Sequence, residues 1–121
     1  VKEILKATPN PDKQREYVIE LHKTLDFESE SFGITLKYVA DKLILAHSSF
    51  DDYLDQCQVQ EWNTPEGLAS NILEDCMDIL VPKWIRVQIF CMDEDSGLQA
   101  NIYIEDRQPN WNDDALVSRS Y

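Results

Sequence analysis

Glu66 falls within "NTPEGLASNILEDC" (63–76), in the first turn of a stretch whose other spacing is apolar and helical. A carboxylate there can do one of two things. It can simply suit the positive end of the helix dipole. It can also accept two N–H donors side by side from a guanine-like edge, a charge-assisted bidentate contact. Both readings stay open on the residues alone. Nucleophilic chemistry finds less material. Thr24, Ser29 and Ser31 are hydroxyls near a single imidazole, His22, and an alcohol needs an adjacent base to attack. Cys57, Cys76 and Cys91 are odd in number, widely spaced and without a CxxC pair, which suits core filling in a reducing cytoplasm.

Metal and phosphate chemistry are poorly provided for. His22 and His47 stand apart with no ligand spacing, so no metal is expected. "DEDSG" (93–97) lacks the spaced ligands and distal glutamate of a calcium loop and reads as an acidic hairpin tip. Gly33, Gly67 and Gly97 are the three glycines, too scattered for a phosphate-cradling loop. Trp62, Trp84 and Trp111 could stack a base, although a core or subunit interface is the commoner place for tryptophan.

The elements that must position these residues follow from periodicity. The chain has 121 residues, enough for one hydrophobic core. "EYVIELHKTL" (16–25) alternates apolar and polar, "DFESES" (26–31) breaks the pattern, and "FGITLKYVA" (32–40) resumes it with Phe32, Ile34, Leu36 and Tyr38 on one side; this predicts a hairpin. "SSFDDYLDQC" (48–57) has helical spacing, with Ser48 placed to cap. Thr64 suits the cap and Pro65 the first position of a second helix. Its stripe is Leu68, Ala69, Ile72, Leu73, Cys76, Ile79 and Leu80, and Pro82 stops it. "KWIRVQIFCM" (83–92) and "LQANIYIE" (98–105) alternate again around the acidic turn.

The expected fold is therefore α+β: a four-stranded antiparallel sheet with two helices on one face, in the order ββααββ. Residues 1–16 read as a lead-in, 17–105 as the domain and 106–121 as a C-terminal arm, docked or mobile. Exposed sheet edges invite pairing between copies, so a homo-oligomer is expected. The net charge of −12, from 23 acidic and 11 basic residues with no Lys/Arg cluster, disfavours nucleic acid and anionic membranes. No apolar run reaches the length of a membrane span and no signal-peptide core is present, which points to the cytoplasm. Val1 is not a methionine, so the natural start of the chain is left open.

Beyond this order, the chain resembles the tunnelling-fold (T-fold) NADPH-dependent 7-cyano-7-deazaguanine reductases, the nitrile reductases of queuosine biosynthesis. The resemblance rests on "YVADKLIL" (38–45), "PEGLASNILEDCMDILVPKWIRVQI" (65–89) and "LQANIYIE" (98–105). It implies a barrel-like assembly with ligand sites between subunits. It also implies that Glu66, which matches the glutamate of the family's His-Glu pair, anchors a purine- or pterin-like base; Pro65 replaces the histidine.

Other family features are missing. The reductases attack the nitrile with a cysteine thiolate, aided by a nearby aspartate, from the region that here reads "HKTLDFESESFG" (22–33) and holds no cysteine. Glu30 lies near the aspartate's place, as an acid remnant. "LAHSSFDDYL" (45–54) lacks the glutamate and lysines that help hold NADPH, and "DEDSG" replaces a proline-arginine-glycine turn and would repel phosphate. The expectation is no catalytic residue, no retained cofactor and no nitrile reduction by this chain alone. Three readings remain: a degenerate binder, an assembly or regulatory protein without a pocket, and the glutamate-bearing half of a mixed reductase complex.

Overall fold

The computed structural model describes residues 1–27, 30–60, 62 and 64–120. After a short helical turn at Lys2–Ile4 come β1 (Ala7–Pro9), β2 (Val18–Asp26), β3 (Glu30–Val39) and β4 (Leu43–Leu45). Helices α1 (His47–Val59) and α2 (Pro65–Leu80) follow, then β5 (Trp84–Asp93), β6 (Gln99–Arg107) and α3 (Asp114–Ser120). The long strands form one antiparallel sheet in the order β2-β3-β5-β6. The α+β class and the four-stranded sheet therefore agree with the alternation in the sequence.

The strict order ββααββ does not describe the whole chain. β1 pairs antiparallel with β4, Ala7 opposite Leu45, to form a separate two-stranded sheet. The lead-in also sends Leu5 into the core. The terminal segment forms α3, which packs Val117 against Val39 and Trp84, with Val18, Trp111 and Leu116 at the margin. These sheet residues alternate with the inward set, so α3 covers part of the face opposite α1 and α2. Two helices share one face, as expected, and a third lies across the other.

The main core sits between the sheet and α1 and α2. Phe32, Ile34, Leu36 and Tyr38 of β3 and Ile85, Val87, Ile89 and Cys91 of β5 are buried. They meet Phe50, Tyr53, Leu54 and Cys57 from α1 and the Leu68, Ala69, Ile72, Leu73, Cys76 and Leu80 stripe of α2. Each large aliphatic side chain so buried contributes about 1.5–3 kcal/mol. The two helices are also tied by a polar link: the Tyr53 hydroxyl donates to Asp75 Oδ2 at 2.7 Å and accepts from Asn71 Nδ2 at 3.2 Å. Burial, and then that bond, push the Tyr53 hydroxyl far up, so it stays a donor.

Local signals set the helix ends. Thr64 Oγ1 accepts from the Gly67 N–H at 3.0 Å and Pro65 is the first helical residue of α2. A Cβ on Gly67 would come within 3.2 Å of that same Oγ1, so glycine lets the cap close. The first helix differs from expectation. Ala46, not Ser48, holds the cap position, and Ser49 Oγ instead donates to the Ala46 carbonyl and accepts from the Lys6 N–H, tying the helix start to the lead-in. α2 ends on Val81 in the left-handed region (φ 45°, ψ 57°), one residue before Pro82. No helix among the described residues is long and apolar enough to cross a membrane.

Candidate functional site

The cap formed by Thr64 holds Glu66 in the first turn of α2, where its side chain is exposed. Its charge acts on Cys91, at the end of the sheet where β3 begins and β5 finishes. Glu30 opens β3 opposite Asp93, and its carbonyl accepts from the Phe27 N–H at 2.8 Å, closing the β2–β3 connection. Phe27 packs on Phe32 with ring centroids 4.8 Å apart. Cys91 stands opposite Phe32 and therefore diagonal to Glu30 on the helix-facing side.

Electrostatics tie these three residues together. The Cys91 thiol is pushed above its ordinary value, first by burial, then by the Glu30 carboxylate, then by the Glu66 carboxylate. The structure thus brings Glu30 and Glu66, separated by two elements in sequence, to one thiol. Nothing in the spacing of the sequence signals that meeting, because Cys91 reads there only as one more inward-facing strand residue. A thiol held protonated is a poor nucleophile. Two carboxylates can instead accept N–H donors from a ligand.

The remaining candidates are scattered. His22 Nδ1 lies 2.8 Å from Thr35 Oγ1, so the imidazole is engaged by a hydroxyl other than Thr24 or Ser31. Ser31 Oγ donates to Asp26 Oδ1 at 2.8 Å, and Ser29 lies outside the described residues. His47 begins α1 and lines a cleft of about 180 Å³ between α1 and β2 with Leu21, Lys23, Phe50 and Asp51. Lys23 bridges Asp51 and Asp55 across that boundary. Among the described residues no three His, Cys, Asp or Glu side chains gather as a metal site.

The tryptophans and remaining cysteines serve structure. Trp84 is fully buried and its Nε1 donates to Glu105 at 2.7 Å. Trp62 and Trp111 donate to the Cys57 carbonyl and to Glu16. Burial pushes the Cys57 and Cys76 thiols up to about 11 and about 12. "DEDSG" is the β5–β6 hairpin tip: Asp93 Oδ1 accepts from the Asp95 N–H at 2.9 Å, and Gly97 takes the left-handed conformation (φ 75°) that closes the turn.

No protein-family model matches the sequence, and no curated protein matches it. Among solved structures, the chain is similar to the apo crystal structure of the archaeosine synthase QueF-Like. The TM-score is 0.63 at 18% identity, and the match covers 75% of this chain and 92% of that one. At that identity the likeness speaks for the fold. It agrees with the T-fold resemblance carried by residues 38–45, 65–89 and 98–105.

Proposed function

We propose that this chain is a non-catalytic relative of the deazaguanine-processing T-fold enzymes, and that it binds a purine- or pterin-like molecule through Glu66. The observation that supports this reading is the position of Glu66: exposed at a capped helix start, with its charge acting on the same thiol as that of Glu30, on a fold shared with an archaeosine synthase. Glu66 accepts paired N–H donors from the ligand and Glu30 adds a second acceptor at the same end of the sheet. The pocket is completed by another copy of the chain, joined through the open edges of β2 and β6. The assembly is cytoplasmic, a placement supported by three free cysteines.

Nitrile reduction lies outside this function. The Cys91 thiol is pushed above its ordinary value and no NADPH motif is retained, so NADPH absorbance should stay constant with 7-cyano-7-deazaguanine and this chain alone. Titration calorimetry with guanine, 7-cyano-7-deazaguanine and pterin tests binding directly, and light scattering tests assembly. A stable monomer that binds none of the three would end this reading.

A second reading has its own support. Phe90, Met92 and Tyr103 are exposed on the open face of the sheet. An assembly protein without a working pocket would present such side chains to a partner.

A further inference from the structure

We propose that the open face of the sheet carries a second binding site, distinct from Glu66, which takes a small aromatic amine in its ammonium form. On that face Thr24 of β2, Gly33 of β3 and Phe90 of β5 lie side by side in register, and Ser31 stands opposite Met92. Gly33 has no side chain to fill the middle of the row. The result is a cleft of about 340 Å³, floored by Gly33, walled by Phe90 and Met92, and edged by His22 and Glu94. That volume falls within the range of small-molecule sites, about 300–1,000 Å³.

The lining selects the ligand. The Phe90 ring and the Met92 thioether, each 39% exposed, offer an apolar and polarisable surface that suits a flat ring or a cation. Glu94 supplies a carboxylate at one end. Asp26 stands behind Ser31, accepting its hydroxyl proton at 2.8 Å and turning the lone pairs of Ser31 outward as acceptors. The imidazole of His22 is engaged through Nδ1 with Thr35. The carboxylates of Glu94 and, behind Ser31, Asp26 carry negative charge to the cleft, and the chain's net charge of −12 draws cations towards it at longer range. An anion of the same shape would be repelled.

This site does not depend on the function proposed for Glu66. Cys91, on which the Glu66 charge acts, points into the helix-covered core, whereas its neighbours Phe90 and Met92 point out of the opposite face. The α3 helix covers only the far end of that face, at Val39 and Trp84.

Methyl NMR tests the site, because the chain has two methionines. Met92 reports on the cleft and Met77, on α2, serves as the control. The probes are phenethylamine, phenethyl alcohol and phenylacetate at pH 7, which share a ring and differ in head charge. The expected result is a saturable shift of the Met92 methyl with the amine, weaker with the alcohol and absent with the acid, while Met77 stays in place. Glu94→Gln should weaken amine binding about threefold, as for an exposed charge pair. Gly33→Ala should weaken it about tenfold by filling the floor. The added methyl would meet its nearest neighbour, His22 Cε1, at an ordinary 3.6 Å, so the fold should persist. An unmoved Met92 methyl, an equal response to phenylacetate, or amine binding unchanged in either variant would overturn the proposal.

Discussion

The Glu66 carboxylate on α2 pushes the Cys91 thiol on β5 above its ordinary value, after burial and the Glu30 carboxylate as the larger causes. The relationship has a direct chemical readout. Alkylation of Cys91 by iodoacetamide should follow a pH profile with its midpoint above that of an ordinary cysteine. Glu66→Gln should move the midpoint down, and Glu30→Gln should move it further, since the Glu30 charge acts more strongly. Cys57 and Cys76 are fully buried and should not react in the folded chain. A midpoint unchanged in both variants would separate the carboxylates from the thiol.

Lys23 predicts a pH dependence of stability. It points from the edge strand β2 towards α1, where it bridges Asp51 and Asp55. Its ammonium is held above the ordinary value of 10.5, first by the bond to Asp51 and then by that to Asp55. A value raised in the folded state gives stability that is complete below the unfolded value and lost as pH rises through the folded one. Urea denaturation should show Lys23→Met less stable than the unsubstituted chain at pH 8, with the gap closing above pH 10.5. The gap should also narrow in 1 M salt, because the aspartates are exposed. A gap constant across pH would assign the effect of Lys23 to packing alone.

Val81 carries backbone strain that a substitution can remove. A β-branched residue in the left-handed region is unfavourable by about 1–2 kcal/mol, and glycine is free of that cost. The Val81 side chain is 60% exposed and makes little of the core. Val81→Gly should raise stability by about 0.5–1 kcal/mol, part of the relief being offset by the more flexible unfolded chain. Thermal melts measure this, and a lower melting temperature would show that the side chain packs more than its exposure indicates.

The elements legible in the sequence are those in which a pattern repeats within one element. The alternation of Phe32 to Tyr38 and of Ile85 to Cys91 gave the inward faces of β3 and β5, and Thr64 with Pro65 gave the start of α2. Elements that are short or depend on a distant partner leave no such pattern. β1 and β4 are three residues each, too short to show a period, and exist because they pair with each other. α3 is a single polar-looking stretch whose apolar contribution, Val117, makes sense only against Trp84. Ser48 fits a cap by type, but Ser49 bonds Lys6 of the lead-in and the helix starts earlier, at His47. The approach of Glu30 and Glu66 to Cys91 is a tertiary fact of the same kind.

The most direct test of the account is the affinity of Glu66→Gln for a guanine-like ligand, measured by titration calorimetry beside the unsubstituted chain and paired with thermal melts. A base anchor that loses its charge presents one amide group to the wrong partner, which costs about 2–3 kcal/mol of binding, more than tenfold in affinity. Stability should change by no more than about 0.3–1 kcal/mol, the usual contribution of a first-turn charge. A large loss of binding with little loss of stability is the expected result. Equal affinity in the two proteins, with only a small drop in melting temperature, would contradict it and leave Glu66 as a helix-end charge.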